Sequence, residues 1–250
     1  MTNSSATSAT YSGLIALGAD ATINASSGHI VISNAGTITG SSFGLTLTGS
    51  STASSIASVI GTAAGTVTKA GTGTWLLSGN NTYTGATTIS DGTLAISHAS
   101  GLGTVAGGVT VASGATLDIR NVAVGAEAVT LNGGTLATST GTSSLSGAVA
   151  LDANSTVSVA GTQLTLSGIV SGTGALTKTG NGILILSNAN TYSGGTTLSA
   201  GTLNLASAGA IGTAGAISFG GGTLQHTASN TTDYSDRFST ANNQAYRIDT

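Results

Sequence analysis

Eight carboxylates are the side chains of this sequence best suited to acid–base catalysis. Hydrolysis of a glycosidic bond needs two of them facing each other across the sugar. Asp91 and Asp152 lie at expected turns, where aspartate favours local hydrogen bonds, and Asp118 alternates outward between two apolar neighbours. None of the eight recurs at a regular spacing, so the sequence predicts no catalytic pair. The eight are Asp20, Asp91, Asp118, Glu127, Asp152, Asp233, Asp236 and Asp249.

The other groups that could bind a metal are equally scattered. The three histidines, His29, His98 and His226, lie in unrelated positions, and the chain has no cysteine. A metal site needs several ligands that converge. Gly220–Gly222 lacks the following aspartate of the calcium-binding nonapeptide repeat. We therefore predict no catalytic site, no metal and no cofactor, and we expect that the chain is not an enzyme.

Two tyrosines at equivalent positions are candidates for ligand contact. Tyr83 and Tyr192 follow the same Asn-Thr dipeptide and precede a glycine. Each could stack on a carbohydrate at the surface, or pack its ring into a corner and hydrogen-bond its hydroxyl; we favour packing. Trp75 aligns with Leu184 when the two segments are superposed, so we expect it to replace an aliphatic residue.

The segment 229–250 differs from the rest of the chain. Five of the 13 charged residues and three aromatics lie after residue 232. We predict a polar, loop-like excursion that packs on the flank of the fold. Binding residues often lie on such loops, which keeps a binding role open. The residues are Asp233, Tyr234, Asp236, Arg237, Phe238, Tyr246, Arg247 and Asp249.

The composition excludes several classes of protein. Gly, Ala, Ser and Thr make up 155 of 250 residues, and charged residues only 5%, against about a quarter in globular chains. Five scattered basic residues and a net charge of −3 argue against a nucleic-acid partner. Recurrent Val, Ile and Leu argue against disorder. No run approaches the roughly 18 apolar residues of a membrane span, and the N-terminus lacks the features of a signal peptide.

Two segments repeat one another. Residues 68–104 and 177–213 are identical at 19 of 37 positions. A shorter step of 20 residues joins one column of aliphatic residues: Ile89, Val109, Val129, Val149 and Ile169. A step of about 22 joins a second column: Leu94, Leu117, Leu136, Val157, Leu176, Leu203 and Leu224. Such periods are typical of solenoids.

The local pattern predicts strands throughout. Apolar residues alternate with small polar ones, as in half-buried strands, and Gly or Asn lies at the corners. Because the step is constant, we predict a single parallel β-helix over 1–250, with about 20–22 residues per coil. Six Thr-x-Thr pairs are too irregularly spaced for the vertical array of an ice-binding solenoid.

The repeated residues resemble a known element. Thr68-Lys69, Asn81-Thr82-Tyr83 and Asp91-Gly92-Thr93-Leu94, with their counterparts from Thr177, resemble the autotransporter-associated β-strand repeat, also called the passenger-associated transport repeat. We delimit the copies as 67–105 and 176–214. The resemblance implies the passenger of a Gram-negative type V secreted protein, folded as a right-handed β-helix outside the cell.

The resemblance also implies a location and partners. Relatives carry an N-terminal signal peptide and a C-terminal translocator β-barrel, so both are expected outside this chain, which would be an internal fragment displayed at the cell surface. The leading hypothesis is a structural stalk that aids export and display. The alternative is an adhesin or self-association surface that attaches cells to each other or to a host. An enzyme would need a carboxylate cluster, which the sequence lacks.

Overall fold

The chain is almost entirely β-structure. The computed structural model describes residues 1–250, and its single helical element is the 3-10 turn Ser235–Arg237. The chain divides into two compact units, Met1–Asp118 and Ile119–Thr250. In each unit parallel strands stack as a β-solenoid, with about 12 coils in all, which confirms the predicted fold class. The structure contains no helix that could span a membrane.

Fifteen strands begin in the first unit. They are β1 (Thr2–Asn3), β2 (Ala9–Tyr11), β3 (Ala16–Leu17), β4 (Ala21–Ala25), β5 (Ile30–Ile32), β6 (Thr37–Gly40), β7 (Leu45–Gly49), β8 (Ser54–Ile56), β9 (Val59–Gly61), β10 (Val67–Lys69), β11 (Thr74–Leu77), β12 (Thr87–Ile89), β13 (Thr93–Ile96), β14 (Val109–Ala112) and β15 (Thr116–Ile119).

Fifteen more strands lie in the second unit. They are β16 (Ala123–Val124), β17 (Val129–Asn132), β18 (Thr135–Thr138), β19 (Thr142–Leu145), β20 (Val149–Leu151), β21 (Ser155–Val159), β22 (Gln163–Leu166), β23 (Val170–Gly172), β24 (Leu176–Thr179), β25 (Ile183–Leu186), β26 (Thr196–Leu198), β27 (Thr202–Leu205), β28 (Ile217–Phe219), β29 (Thr223–His226) and β30 (Ile248–Asp249).

The strands of each unit belong to three of the four sheets. In the first unit the strand orders are β1-β4-β7-β10-β12-β14, β2-β5-β8-β11-β13-β15 and β3-β6-β9. In the second they are β17-β20-β23, β18-β21-β24-β26-β28 and β16-β19-β22-β25-β27-β29-β30. The paired strands are parallel. Successive coils add one strand to a sheet, so residues about 20 apart in sequence become neighbours.

The core is a set of stacked inward side chains. On β7 the buried Leu45 and Leu47 flank the half-buried Thr46, and the same alternation recurs along the chain. Because a strand has a period of two, every second residue points inward. Trp75 is fully buried and its indole N–H donates to the Thr48 carbonyl at 3.1 Å. Its expected role as a replacement for a core aliphatic residue is therefore confirmed.

The first predicted aliphatic column is partly wrong. Val129 does lie beside Val149. Ile89, however, pairs with Val111 and not with Val109, and Val149 pairs with Val170. Ile169 is 46% exposed. The coil step is not constant, because corners differ in length. The error at Ile89 is a shift of two residues, which leaves an inward residue inward. Ile169 lies one residue before the true partner Val170 and is therefore on the outward side.

The second predicted column is also divided. Leu136 pairs with Val157, and Leu203 pairs with Leu224, as expected. Val157 pairs with Lys178 in place of Leu176. Leu203 and Leu224 belong to a different sheet from Leu136 and Val157. The steps observed run from 19 residues, as in Trp75 to Leu94, to 24, as in Ala21 to Leu45. The first coils are therefore longer than the predicted 20–22 residues.

Candidate functional site

Three of the eight carboxylates accept hydrogen bonds from main-chain N–H groups. Asp20 accepts from the Gly44 N–H at 2.8 Å, and Asp91 accepts from the Gly92 N–H at 2.7 Å. Asp233 is exposed. Its carboxylate accepts a hydrogen bond from the Ser235 N–H, and this bond lowers the pKa of Asp233. Asp118, which the alternation placed outward, is buried together with its neighbours on β15, and Glu127 is also buried. No three His, Asp or Glu side chains are grouped so that they could hold a metal ion.

One histidine lies against a hydroxyl, a contact that the sequence did not indicate. The Nδ1 atom of His29 is 2.6 Å from the Oγ atom of Ser51. A serine and a histidine can act as nucleophile and base when the hydroxyl faces a substrate pocket. Ser51 is only 6% exposed, and the Ser54 hydroxyl also donates to it at 3.4 Å. The contact links residues 22 apart and therefore ties two successive coils together.

The repeated segments contain a buried asparagine that joins three coils. The Ile60 N–H donates to Asn81 Oδ1 at 2.8 Å, and Asn81 Nδ2 donates to the Gly101 carbonyl at 2.7 Å. The second segment repeats this geometry. Val170 N–H donates to Asn190 Oδ1 at 2.7 Å, and Asn190 Nδ2 donates to a carbonyl one coil further on, at 2.6 Å.

The position of this asparagine explains its role. β9 and β23 are each the last strand of their sheet within their unit. Their outer edges would leave main-chain groups unpaired, at a cost of about 1–3 kcal/mol for each buried group. A side-chain amide has the same donor and acceptor as a peptide group. Asn81 and Asn190 therefore continue the ladder of hydrogen bonds where the chain itself turns into a loop.

A buried lysine closes the corner of each segment. Lys69 Nζ donates to the carbonyl oxygens of Ala70 (3.0 Å), Gly71 (2.6 Å) and Asp91 (3.0 Å). Lys178 makes three equivalent bonds, at 2.9, 2.8 and 3.2 Å. Three acceptors match the three N–H groups of an ammonium. Both side chains are fully buried, and burial lowers the pKa of each to about 8.

The two tyrosines are core residues. Tyr83 and Tyr192 are fully buried, so the interpretation of surface aromatics that stack on carbohydrate is wrong. Each hydroxyl forms a hydrogen bond to a threonine four residues later: Tyr83 to Thr87 at 2.7 Å and Tyr192 to Thr196 at 2.8 Å. Gly103 packs against the Tyr83 ring with a φ of +81°. Burial raises the pKa of Tyr192.

Comparison with known families identifies these segments. Residues 67–96 and 176–205 each match the family model of the Passenger-associated-transport-repeat. The chain carries two copies of this repeat. Each match ends nine residues before the segments delimited from the sequence. Comparison with curated proteins and with solved structures gave no match. The repeats and the β-solenoid together fit the stalk of an autotransporter passenger, a secreted and surface-exposed domain.

Sequence reasoning noted the repeated lysine and asparagine but assigned them no role. The sequence did contain a feature that indicates a structural role for the lysines. Only five residues are basic, and two of them occupy the same position of the two repeats. The alternation Val67-Thr68-Lys69 places that position inward. A cation at an inward position needs several acceptors, and the glycine-rich corner next to each lysine supplies them.

Hydroxyl columns run along the outer surface of both units, in better register than the Thr-x-Thr spacing indicated. In the first unit five threonines stack one per coil: Thr22, Thr46, Thr68, Thr88 and Thr110. In the second unit a similar column consists of Thr135, Thr156, Thr177, Thr197 and Ser218. These columns are uncharged, outward-facing and polar, and they are the most regular surface features of the chain.

Residues 229–250 stack on the preceding coil of the second unit. β30 pairs with β29, and Phe238 bridges to Ile217. The rings of Phe219 and Phe238 meet edge to face at 5.0 Å. The guanidinium of Arg237 donates to four carbonyl oxygens of residues 211–215. A cavity of about 670 Å³ lies beside this segment, and its lining includes His226, Tyr234 and Phe238.

Proposed function

We propose that the chain is a stalk segment in the passenger of a type V secreted surface protein of a Gram-negative bacterium. Its two repeats aid export and display. The observation that carries this proposal is the pair of transport-repeat matches, each of which contains the same buried Asn–Lys–Tyr arrangement within the solenoid. A stalk needs continuous stacking between coils, and these side chains connect successive coils.

The proposed location is outside the cell, attached to the outer membrane through a translocator β-barrel of the same polypeptide. The distribution of positive charge supports the proposal that the chain does not bind nucleic acid. Lys69, Lys178, Arg237 and Arg247 all donate to main-chain carbonyl oxygens of the solenoid. Few positive charges are therefore free to contact phosphate groups, which dominate nucleic-acid binding.

The location is tested by protease accessibility on intact source cells, with an antibody to this segment of the full-length protein. We expect digestion without lysis. Protection until the outer membrane is broken would contradict display at the surface. A periplasmic protein, followed in the same samples, controls for leakage.

The role in export is tested by removing one coil at a time from the full-length protein. Deleting residues 67–86 removes one coil with Lys69, Asn81 and Tyr83, because Val67 and Thr87 are register partners. Deleting residues 45–66 removes one coil of the same unit outside the repeat, because Leu45 and Val67 are partners. We expect the first deletion to lower the surface-exposed fraction more than the second. Equal surface fractions would contradict an export role.

A second candidate function is self-association or adhesion, and the hydroxyl columns favour it. A regular, uncharged row of hydroxyl groups can form many weak hydrogen bonds with another surface. If the column of the second unit mediates association, Thr156→Lys with Thr177→Lys should abolish concentration-dependent assembly in sedimentation experiments. Lysine at Ser113, in a turn of the first unit, controls for added charge. Assembly that persists in the column variant would exclude this surface.

A further inference from the structure

We propose that each passenger-associated transport repeat is the folding nucleus of its unit, which forms first and fixes the register for the other coils. This inference rests on the proposed role of the repeats in export, because it names what they would contribute physically. It concerns the folding of the chain itself and can be tested without any secretion apparatus.

A nucleus is needed because the coils are alike. In a solenoid each coil contacts mainly its neighbours, so folding can begin at any coil and propagate. The alternating pattern alone does not select a register. Ile89 lies beside Val111, but a shift of two residues would place it beside Val109 with both side chains still inward. Strands rich in Gly and Thr specify register weakly.

Buried polar side chains remove this ambiguity. Asn81 is 2% exposed and Lys69 is fully buried, and each needs particular partners in the adjacent coils. A two-residue shift would separate Asn81 from the Ile60 N–H and Lys69 from the Asp91 carbonyl. Each unpaired buried group lowers the population of the shifted state by about 5- to 150-fold. The repeat therefore fixes its register with an ammonium and an amide, whereas the coils outside it do so with hydroxyl groups such as those of Ser54 and Ser143.

The contacts that define the repeat are also close in sequence. Asn81 joins partners 21 residues before it and 20 residues after it. Lys69 reaches the carbonyl of Asp91, 22 residues away. Tyr83 bonds a residue four positions later. Closing loops of this length costs little more entropy than forming any single coil, so the repeat gains extra bonds without a larger loss of entropy.

The same arrangement is present once in each unit. In the second unit Asn190 bonds groups 20 residues before and 20 residues after it, and Lys178 bonds a carbonyl 22 residues away. The chain has two compact units, and each contains one complete set of these Asn and Lys hydrogen bonds. This distribution is expected if each unit has its own folding nucleus.

Pulsed hydrogen exchange during refolding of the full 250-residue chain tests the order of folding. We expect amides of residues 60–104 and 170–213 to be protected first within their own units. Residues 21–56 and 129–159 should follow. Earlier protection of residues 21–56 or 129–159, or simultaneous protection of all coils, would overturn the proposal.

Rate measurements on matched variants give a second test. Asn81→Ser is compared with Asn34→Ser, because Asn34 also donates to a carbonyl 22 residues away but lies outside the repeat. Asn190→Ser is compared with Asn154→Ser, because Asn154 accepts a hydrogen bond from a main-chain N–H 21 residues away but lies outside the repeat. We expect the repeat variants to refold more slowly by about the factor that they lose in stability. The controls should mainly unfold faster.

The two proposals fail in different ways. Faster unfolding without slower refolding in the repeat variants would overturn the nucleus, even if deletion of residues 67–86 reduces export. Equal export of the two coil deletions would overturn the export role, even if the repeats fold first. If a serine variant does not fold, the exchange experiment on the unaltered chain still decides the order of folding.

Discussion

The side-chain oxygen of Asn190 accepts a hydrogen bond from the main-chain N–H of Val170, 20 residues earlier, at 2.7 Å. A side chain here replaces a strand as the partner of a sheet edge. Asn81 does the same for Ile60 in the other unit. The recurrence of this bond at two distant places shows that the repeat conserves an interaction between coils and not only a hydrophobic pattern.

Replacing Asn190 by leucine should destabilise the second unit by about 2–6 kcal/mol. The substitution leaves the Val170 N–H and the Ala210 carbonyl buried without a partner, at about 1–3 kcal/mol each. The free energy of unfolding is measured by urea denaturation. Asn188→Leu is the matched control, since that half-buried side chain bonds only one adjacent coil. Equal losses for the two variants would contradict the assigned role.

Replacing Val129 by aspartate should destabilise the chain much more than replacing Thr130 by aspartate. Val129 is 1% exposed and faces the core, whereas Thr130 is half-buried and faces outward. Val129→Asp buries an unpaired carboxylate and should cost about 3 kcal/mol or more. Thr130→Asp should change stability by about 0.5 kcal/mol at most. Thermal unfolding of both variants measures the difference, and similar melting temperatures would contradict the inward placement of Val129.

Stability should rise as the pH increases from about 8 towards 10.5. Lys69 and Lys178 have pKa values lowered from 10.5 to about 8. Between these values the unfolded chain binds more protons than the folded chain, so raising the pH favours folding. Burial raises the pKa of Tyr192, and ionisation of that residue in the unfolded chain opposes the trend above about pH 10.

The effect is measured as the urea midpoint between about pH 7.5 and pH 9.5. Lys69→Met and Lys178→Met should each flatten the dependence, whatever they do to stability at a single pH. A slope that is the same in the unaltered chain and in the double variant would show that the lysines keep an ordinary pKa.

Alanine at Gly103 should be more harmful than alanine at Gly114. Both glycines have a φ of +81°, so both substitutions carry the same backbone strain, about 1–2 kcal/mol. A Cβ atom at Gly103 would lie 2.5 Å from the Tyr83 carbonyl oxygen and 2.9 Å from the Tyr83 ring, whereas at Gly114 nothing lies within 4 Å. We expect an additional loss of about 1–3 kcal/mol for Gly103→Ala. Equal melting temperatures would show that the Tyr83 ring can move aside.

The fold class could be predicted from the sequence because a β-strand produces a simple pattern of alternating residues. Alternation with a period of two, glycine at corners and a recurrent step of about 20 residues indicate stacked parallel strands. Thr68-Lys69 and Asn81-Thr82-Tyr83, with their counterparts, were sufficient to identify the transport repeat. These features are patterns of residue type along the chain, so they can be recognised without knowing which residues meet in space.

The tertiary structure decided the register and the partners. Ile89 lies beside Val111 and not beside Val109, because coil lengths differ and a period of two cannot distinguish shifts of two residues. The bonds of Asn81 and Lys69, and the continuous column through Thr68, exist only once each coil has a defined neighbour. The sequence by itself determined which side of each strand faces inward; stacking determined what each side chain meets there.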